Sequence, residues 1–190
     1  MDSRDTSVQA LKLKKTVVLV GMMGAGKTAV GRALAQALHV PFRDSDAEIE
    51  RAANMTIAEI FARDGEPFFR QKEAQVISRL LDGPPAVLST GGGAYMRETN
   101  RRMITERGVA VWLDAELPVL WNRVKHKNTR PLLQTSDPRG TLREIYEQRV
   151  PVYALSDLKV PSEQGKSIGA MAGRVIEVLK TRPDVLQEDE

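Results

Sequence analysis

The stretch Thr16-Val-Val-Leu-Val-Gly-Met-Met-Gly-Ala-Gly-Lys-Thr28 decides the fold. Its first five residues are a β-branched and leucine run without polar alternation, the pattern of a parallel strand buried on both faces. The rest, Gly21-x4-Gly26-Lys27-Thr28, fits the phosphate-loop pattern, and Val30, Ala33, Leu34, Ala37 and Leu38 follow at helical spacing. A strand, a glycine turn and a helix in that order let successive backbone N–H groups face phosphate oxygens at the positive end of a helix dipole. Lys27 is expected on the β- and γ-phosphates of a nucleotide and Thr28 on Mg²⁺. The nucleotide-binding set is Gly24, Ala25, Gly26, Lys27, Thr28 and Ala29. A glycine-rich turn that only joins strand to helix is the competing reading; the complete pattern in its strand–helix setting weighs against it.

Outward from this loop the chain alternates. Residues 41–44 read as a short strand, 56–62 and 66–81 as helices, and 87–89 as a buried strand cut short by Gly91-Gly92-Gly93. Helices are expected at 97–107, 118–125, 142–153 and 168–179, with strands at 109–113 and 158–160. Such alternation predicts an α/β fold of three layers, a parallel sheet between helices, with ligands beyond the carboxyl ends of the strands. The 190 residues suit one domain, with a core at about 14–180, a loose arm at 1–13 and an acidic end at 184–190 expected to fray.

Composition removes several function classes. With 42% apolar and 28% charged residues the chain is an ordinary globular one, and no apolar run approaches the roughly 20 residues that cross a bilayer. Zero cysteines exclude disulfides and thiolate chemistry, fit a reducing compartment such as the cytoplasm, and with two histidines leave no zinc cluster. The net charge of +3 fits anionic small ligands better than nucleic acid, since aromatic residues are only 5% and no basic stripe is interleaved with them. A monomer without nucleic-acid or membrane partners is expected.

The acceptor side must be read from polar residues near strand ends. Asp44 and Asp46 are two apart, so a continuing strand would point both to one face, one toward the water shell of Mg²⁺ and the other toward an attacking hydroxyl. Either could equally be an acid at a helix start, and Asp46 an N-cap. Arg70 and Glu73 are three apart on a helix and read as a surface pair, or as a guanidinium fixed to present its fork to a carboxylate. The triple glycine after a buried strand implies close approach of the backbone to something, for which a bound ligand is the natural candidate and a tight exit turn the bland one. Arg130, in Asn128-Thr129-Arg130-Pro131-Leu132-Leu133, reads as a lid arginine or as part of a solvated loop; Arg149 reads as an anchor or as an exposed arginine.

As a set, in order and approximate spacing, the phosphate loop, Asp44-Ser45-Asp46, Phe69-Arg70-x-x-Glu73, Gly91-Gly92-Gly93, Arg130-Pro131-Leu132-Leu133 and Arg149-x-Pro151-x-Tyr153 resemble the shikimate kinase family over about residues 14–180. That resemblance implies a five-stranded parallel sheet of the nucleoside monophosphate kinase type with a mobile lid. It also implies transfer of the ATP γ-phosphoryl group to the 3-hydroxyl of shikimate on the route to chorismate. On this analogy Asp46, Arg70, Gly92, Gly93 and Arg149 contact shikimate, Arg130 contacts phosphate, Arg123 packs near adenine, and Lys27, Asp46 and Arg130 form the catalytic group, with Thr28 and Asp44 toward Mg²⁺. Residues 161–166 show no clear counterpart of the family's late adenine-contacting loop. A gluconate-type kinase on the same scaffold and a nucleotide-dependent switch are the competing functions; the acceptor-side arginines and the intact Lys27, Asp46 and Arg130 weigh against them.

Overall fold

The computed structural model describes residues 10–127 and 130–189. A short strand, β1 (Leu11–Leu13), leads into β2 (Thr16–Val20), whose five side chains are all buried, and β2 runs through the phosphate loop into α1 (Lys27–Ala37). There follow β3 (Phe42–Asp44), α2 (Ser45–Ala53), α3 (Ile57–Asp82), β4 (Val87–Ser89), α4 (Glu98–Arg107), β5 (Gly108–Asp114) and α5 (Leu117–Val124). The chain closes with α6 (Pro138–Tyr153), β6 (Leu158–Pro161), α7 (Ile168–Leu179) and β7 (Leu186–Glu188).

Five strands form one parallel sheet in the order β3-β4-β2-β5-β6. β2 lies at its centre because it is apolar on both faces and can be covered on both. Val17, Val18, Leu19, Leu88, Val109, Val111 and Leu113 are wholly buried. Each such side chain contributes about 1.5–3 kcal/mol by leaving water. α1 and α7 pack on each other beside the sheet, and α4 lies along β5 and against α3. A separate small core, Ile49, Ile60, Phe69 and Val76, joins α2 to α3. Among the described residues no helix is long and apolar enough to cross a membrane.

The helices expected at 56–62 and 66–81 are the two halves of α3, separated at Gly65, whose φ of 82° and ψ of 172° no helix contains. Pro67 then opens the second half, where its missing N–H costs nothing. Three expectations are corrected. Residues 45–53 form a helix that periodicity did not reveal, because only Ser45 and Ile49 of its nine residues are buried. The strand therefore ends at Asp44, which caps α2 by accepting a hydrogen bond from the Ala47 N–H at 3.1 Å.

The two chain ends are also ordered where they were expected to be loose. β1 pairs antiparallel with β7, the Lys14 N–H donates to Val185 O at 2.7 Å, and Lys15 pairs with Asp184 at 3.1 Å. Leu13, Val185 and Leu186 are buried, so an apolar pair hidden in an acidic tail anchors it. Residues 1–9 and Glu190 of those ends, and Asn128 and Thr129 of the lid segment, lie outside the described residues. Helix α6 starts four residues earlier than expected, at Pro138, where the Asp137 side chain accepts from the Gly140 N–H.

If the tail is anchored as described, Leu186→Ala lowers the unfolding free energy by about 2–4 kcal/mol. Urea unfolding reads this directly, and a loss below about 0.5 kcal/mol, the range of an ordinary surface substitution, would mean that the tail frays.

Candidate active site

The phosphate loop takes its shape from glycines in the left-handed region, Gly24 at φ 82° and Gly26 at φ 93°. A β-carbon on Gly24 would also lie 2.8 Å from Val124 Cγ1, so the loop rests directly on α5. Lys27 Nζ donates to the carbonyls of Gly21 at 2.7 Å and Met22 at 3.0 Å, which holds the ammonium within the loop. Burial, then the charges of Arg130 and Arg149, push it down to about 8. Thr28 and Ala29 follow on the exposed side of the first turn of α1.

Arg123 on α5 donates to Gly24 O at 3.0 Å and to Ser162 Oγ at 3.2 Å, and Ser162 Oγ donates to Ala25 O at 3.3 Å. The segment after β6 is thereby tied to the phosphate loop. Ser162 is buried, and nothing in the sequence singles out one serine in a polar stretch.

A cleft of about 490 Å³ opens beyond the carboxyl ends of β2, β3 and β4. It is lined by Gly24, Gly26, Lys27, Thr28, Ala29, Asp44, Asp46, Gly91, Gly92, Arg123 and Arg130, with Met23, Ser89, Thr90 and Lys127, four residues to which the sequence assigns no site role. Asp44 and Asp46 reach it from the start of α2, not by strand alternation. Burial first, then the neighbouring Asp44 and Glu73 carboxylates, push the Asp46 carboxyl up to about 6, against the pull of Lys27.

The three glycines after β4 have a specific geometric cause. A β-carbon on Gly91 would lie 2.9 Å from Asp46 Oδ1, one on Gly92 2.6 Å from Arg149 Nη1, and one on Gly93 2.5 Å from Arg70 Nη2. Each missing side chain makes room for a different charged residue, so the close approach expected of this turn is met by protein groups from α2, α6 and α3. Arg70, Gly93 and Arg149 thus gather around the same turn as Asp46, although they do not line the cleft itself.

Arg70 is held by Glu73 at 2.8 Å and more loosely by Glu66 at 3.4 Å. Glu73 is almost wholly buried, and burial pushes its carboxyl up against the opposing hydrogen bond from Arg70. The surface-pair reading of these two residues therefore fails. Arg130 is half-buried, and its Nε has no hydrogen-bond partner among the described residues. A buried guanidinium donor left without an acceptor is costly in protein, and an anion in the cleft would relieve it. Tyr153, quoted in a motif but given no task, donates its hydroxyl to Gly92 O at 2.6 Å.

Comparison with known proteins agrees with this geometry. A family model described as shikimate kinase matches residues 23–180. The chain is 70% identical over 179 residues to a shikimate kinase of Cereibacter sphaeroides, covering 94% of this chain and 89% of that protein. It is 68% identical over 178 residues to one of Ruegeria pomeroyi, covering 94% and 91%. Among solved structures, a shikimate kinase from Acinetobacter baumannii in complex with shikimate superposes with a TM-score of 0.82 at 37% identity, covering 88% of this chain and 93% of that one. Sequence and structure agree over nearly the whole length, and the chain belongs to the shikimate kinase family.

Proposed function

We propose that this chain transfers the γ-phosphoryl group of ATP to the 3-hydroxyl of shikimate, giving shikimate 3-phosphate and ADP, on the route to chorismate and the aromatic amino acids. The observation that carries this reading is the turn Gly91–Gly93, around which one carboxylate and two guanidinium groups converge beside a phosphate loop. Two half-buried arginines suit a compact substrate carboxylate, and a carboxylate suits its hydroxyl. The relative from Acinetobacter baumannii, solved with shikimate, supports the same acceptor. The chain would act as a single kinase domain, a monomer in the cytoplasm.

Arg70 and Arg149 hold the acceptor carboxylate and turn its hydroxyl toward the γ-phosphorus, so that positioning supplies most of the rate. The hydroxyl oxygen forms the new bond to phosphorus as the bridge to the β-phosphate breaks, and the hydroxyl proton passes to Asp46. With its carboxyl near pH 6, Asp46 is ionised at neutral pH and able to receive it. Lys27 and Arg130 neutralise charge on the transferring group, while the loop amides of Gly24 to Ala29 cradle the phosphates and Arg123 flanks the adenine.

The donor set fits Mg²⁺ held chiefly by substrate. Thr28 and Asp44 both line the cleft and offer oxygens, whereas no group of three or more acidic or histidine ligands exists among the described residues. A cation that keeps its waters and phosphate ligands needs only one or two protein oxygens. When bound it would supply positive charge that offsets the charge of the phosphates.

Purified protein with ATP and Mg²⁺ should turn over shikimate but not gluconate or nucleoside monophosphates, with the product confirmed by mass, and Lys27→Ala should lower kcat by about 10²–10³-fold. Turnover of gluconate alone would overturn the roles given to Arg70 and Arg149.

Asp46 carries a second, opposite signature. Its folded carboxyl sits near 6, above the ordinary value near 4, so the folded state binds the extra proton and stability falls as pH rises from about 4 to about 6. Asp46→Asn should therefore stabilise the free protein above pH 6 by about 1–2 kcal/mol, allowing for partial exposure, with no difference below about pH 4, while turnover drops about 10²-fold. Urea unfolding from pH 3.5 to 8 and steady-state assays test both; undiminished turnover would remove the proton-acceptor role.

Lys27, near 8 in the free protein, should regain its full charge beside phosphates. ATP binding at pH 8 then takes up about half a proton, measurable by calorimetry in buffers of different ionisation enthalpy. Lys27→Arg, always charged, should show none.

A further inference from the structure

Tyr153 ends α6 four residues after Arg149, so the two side chains share one face of the helix. The tyrosine is wholly buried, and its ring stacks on Trp112 with centroids 6.2 Å apart. Phenylalanine would fill the same space and keep the same stack. A buried hydroxyl is justified only by its surroundings. This one donates to Gly92 O at 2.6 Å, and the Arg149 guanidinium lies close beside it, near enough to ease ionisation of the phenol against the burial that opposes it.

The inventory of donors fixes what each of these groups can offer the others. A phenol has one proton, and the Gly92 carbonyl takes it; the lone pairs that remain are all that Arg149, which has only donors, can use. The missing β-carbon of Gly92 would lie 2.6 Å from Arg149 Nη1 and 3.7 Å from Tyr153 Oη, so the three groups occupy one small space. Trp112, stacked on the tyrosine ring, belongs to β5 and lies 3.4 Å from the missing β-carbon of Gly21. The hydroxyl is therefore referenced to the central sheet and the turn after β4. It is not referenced to the segment around Arg130 that precedes α6.

We propose that Tyr153 is a positioning residue for the acceptor: its hydroxyl, anchored on the Gly92 carbonyl, holds the Arg149 guanidinium in the orientation that grips the acceptor carboxylate. This rests on the role given to Arg149 above. Loss of the hydroxyl leaves the charge of Arg149 in place and frees its direction, so the defect falls on acceptor binding and spares ATP.

Steady-state kinetics of Tyr153→Phe, Arg149→Ala and the double variant, with thermal unfolding of each, test the proposal. Tyr153→Phe should lower kcat/KM for shikimate about tenfold, mostly through KM, with KM for ATP within twofold of the parent. In the Arg149→Ala background the same change should cost less than twofold. A shikimate KM within twofold of the parent in Tyr153→Phe overturns the proposal. So does a parallel rise in both KM values with a large fall in Tm, which marks a merely structural tyrosine, or a tenfold loss that recurs in the Arg149→Ala background. An Arg149→Ala protein with an unchanged shikimate KM would instead overturn the role of Arg149 itself, and the tyrosine's task with it.

Discussion

Lys27 is buried within its loop and lies in the field of Arg130 and Arg149, and the rest of the site is arranged around that cation. Burial first, and then those two charges, make Lys27 give up its proton more readily, and Arg130 keeps a buried N–H without a partner among the described residues. Such a cluster persists only where the surrounding core over-determines it. The fully buried β2 carries the loop of Lys27, and the stack of Trp112 on Tyr153 backs the helix of Arg149. On the proposed function, phosphates beside Lys27 and Arg130 would offset that charge, and the relief would add to their binding.

The acceptor side is stabilised separately. Asp46 stands on α2 and Arg70 on α3, and those helices meet over their own core of Ile49, Ile60, Phe69 and Val76. Phe69 is buried and its neighbour Arg70 is not, so packing of the ring fixes where the guanidinium leaves the helix; Glu73, one turn on, fixes its fork. The turn Gly91–Gly93 is where this unit meets the main sheet. Its lack of side chains is what allows three charged groups from three helices to share one place.

What was legible in the sequence follows the range of the interactions. The phosphate loop is local, a strand, a turn and the start of a helix within 13 residues, and its reading agrees with the structure in fold and position. The triple glycine was legible as a close approach, but its neighbours come from residues 46, 70 and 149, so the partner at that turn was not. Ser162 and Tyr153 went unassigned for the same reason: each matters through a carbonyl or guanidinium far away in sequence. The anchored tail was hidden differently, since Val185-Leu186 is too short to show any period and sits among acids that read as solvated. Helix α2 escaped because its buried face is nearly reduced to Ile49, and most of its stability comes from its cap and from α3.

The same helix separates two carboxylates that the sequence could not tell apart. Had the strand continued, Asp44 and Asp46 would have been equivalent, both on one face. The chain instead turns at Asp44, whose Oδ1 accepts from the Ala47 N–H; the residue lines the cleft, where the proposed function sets it toward a hydrated cation. Asp46, one residue inside the helix, makes no such bond among the described residues and faces Gly91, with Asp44 and Glu73 raising its affinity for a proton. On the proposed function, environment divides the labour between two identical side chains, the metal-side task going to the one held at the helix cap and the proton-side task to the one poised near 6. A helix start between them does what two extra residues of strand would have prevented.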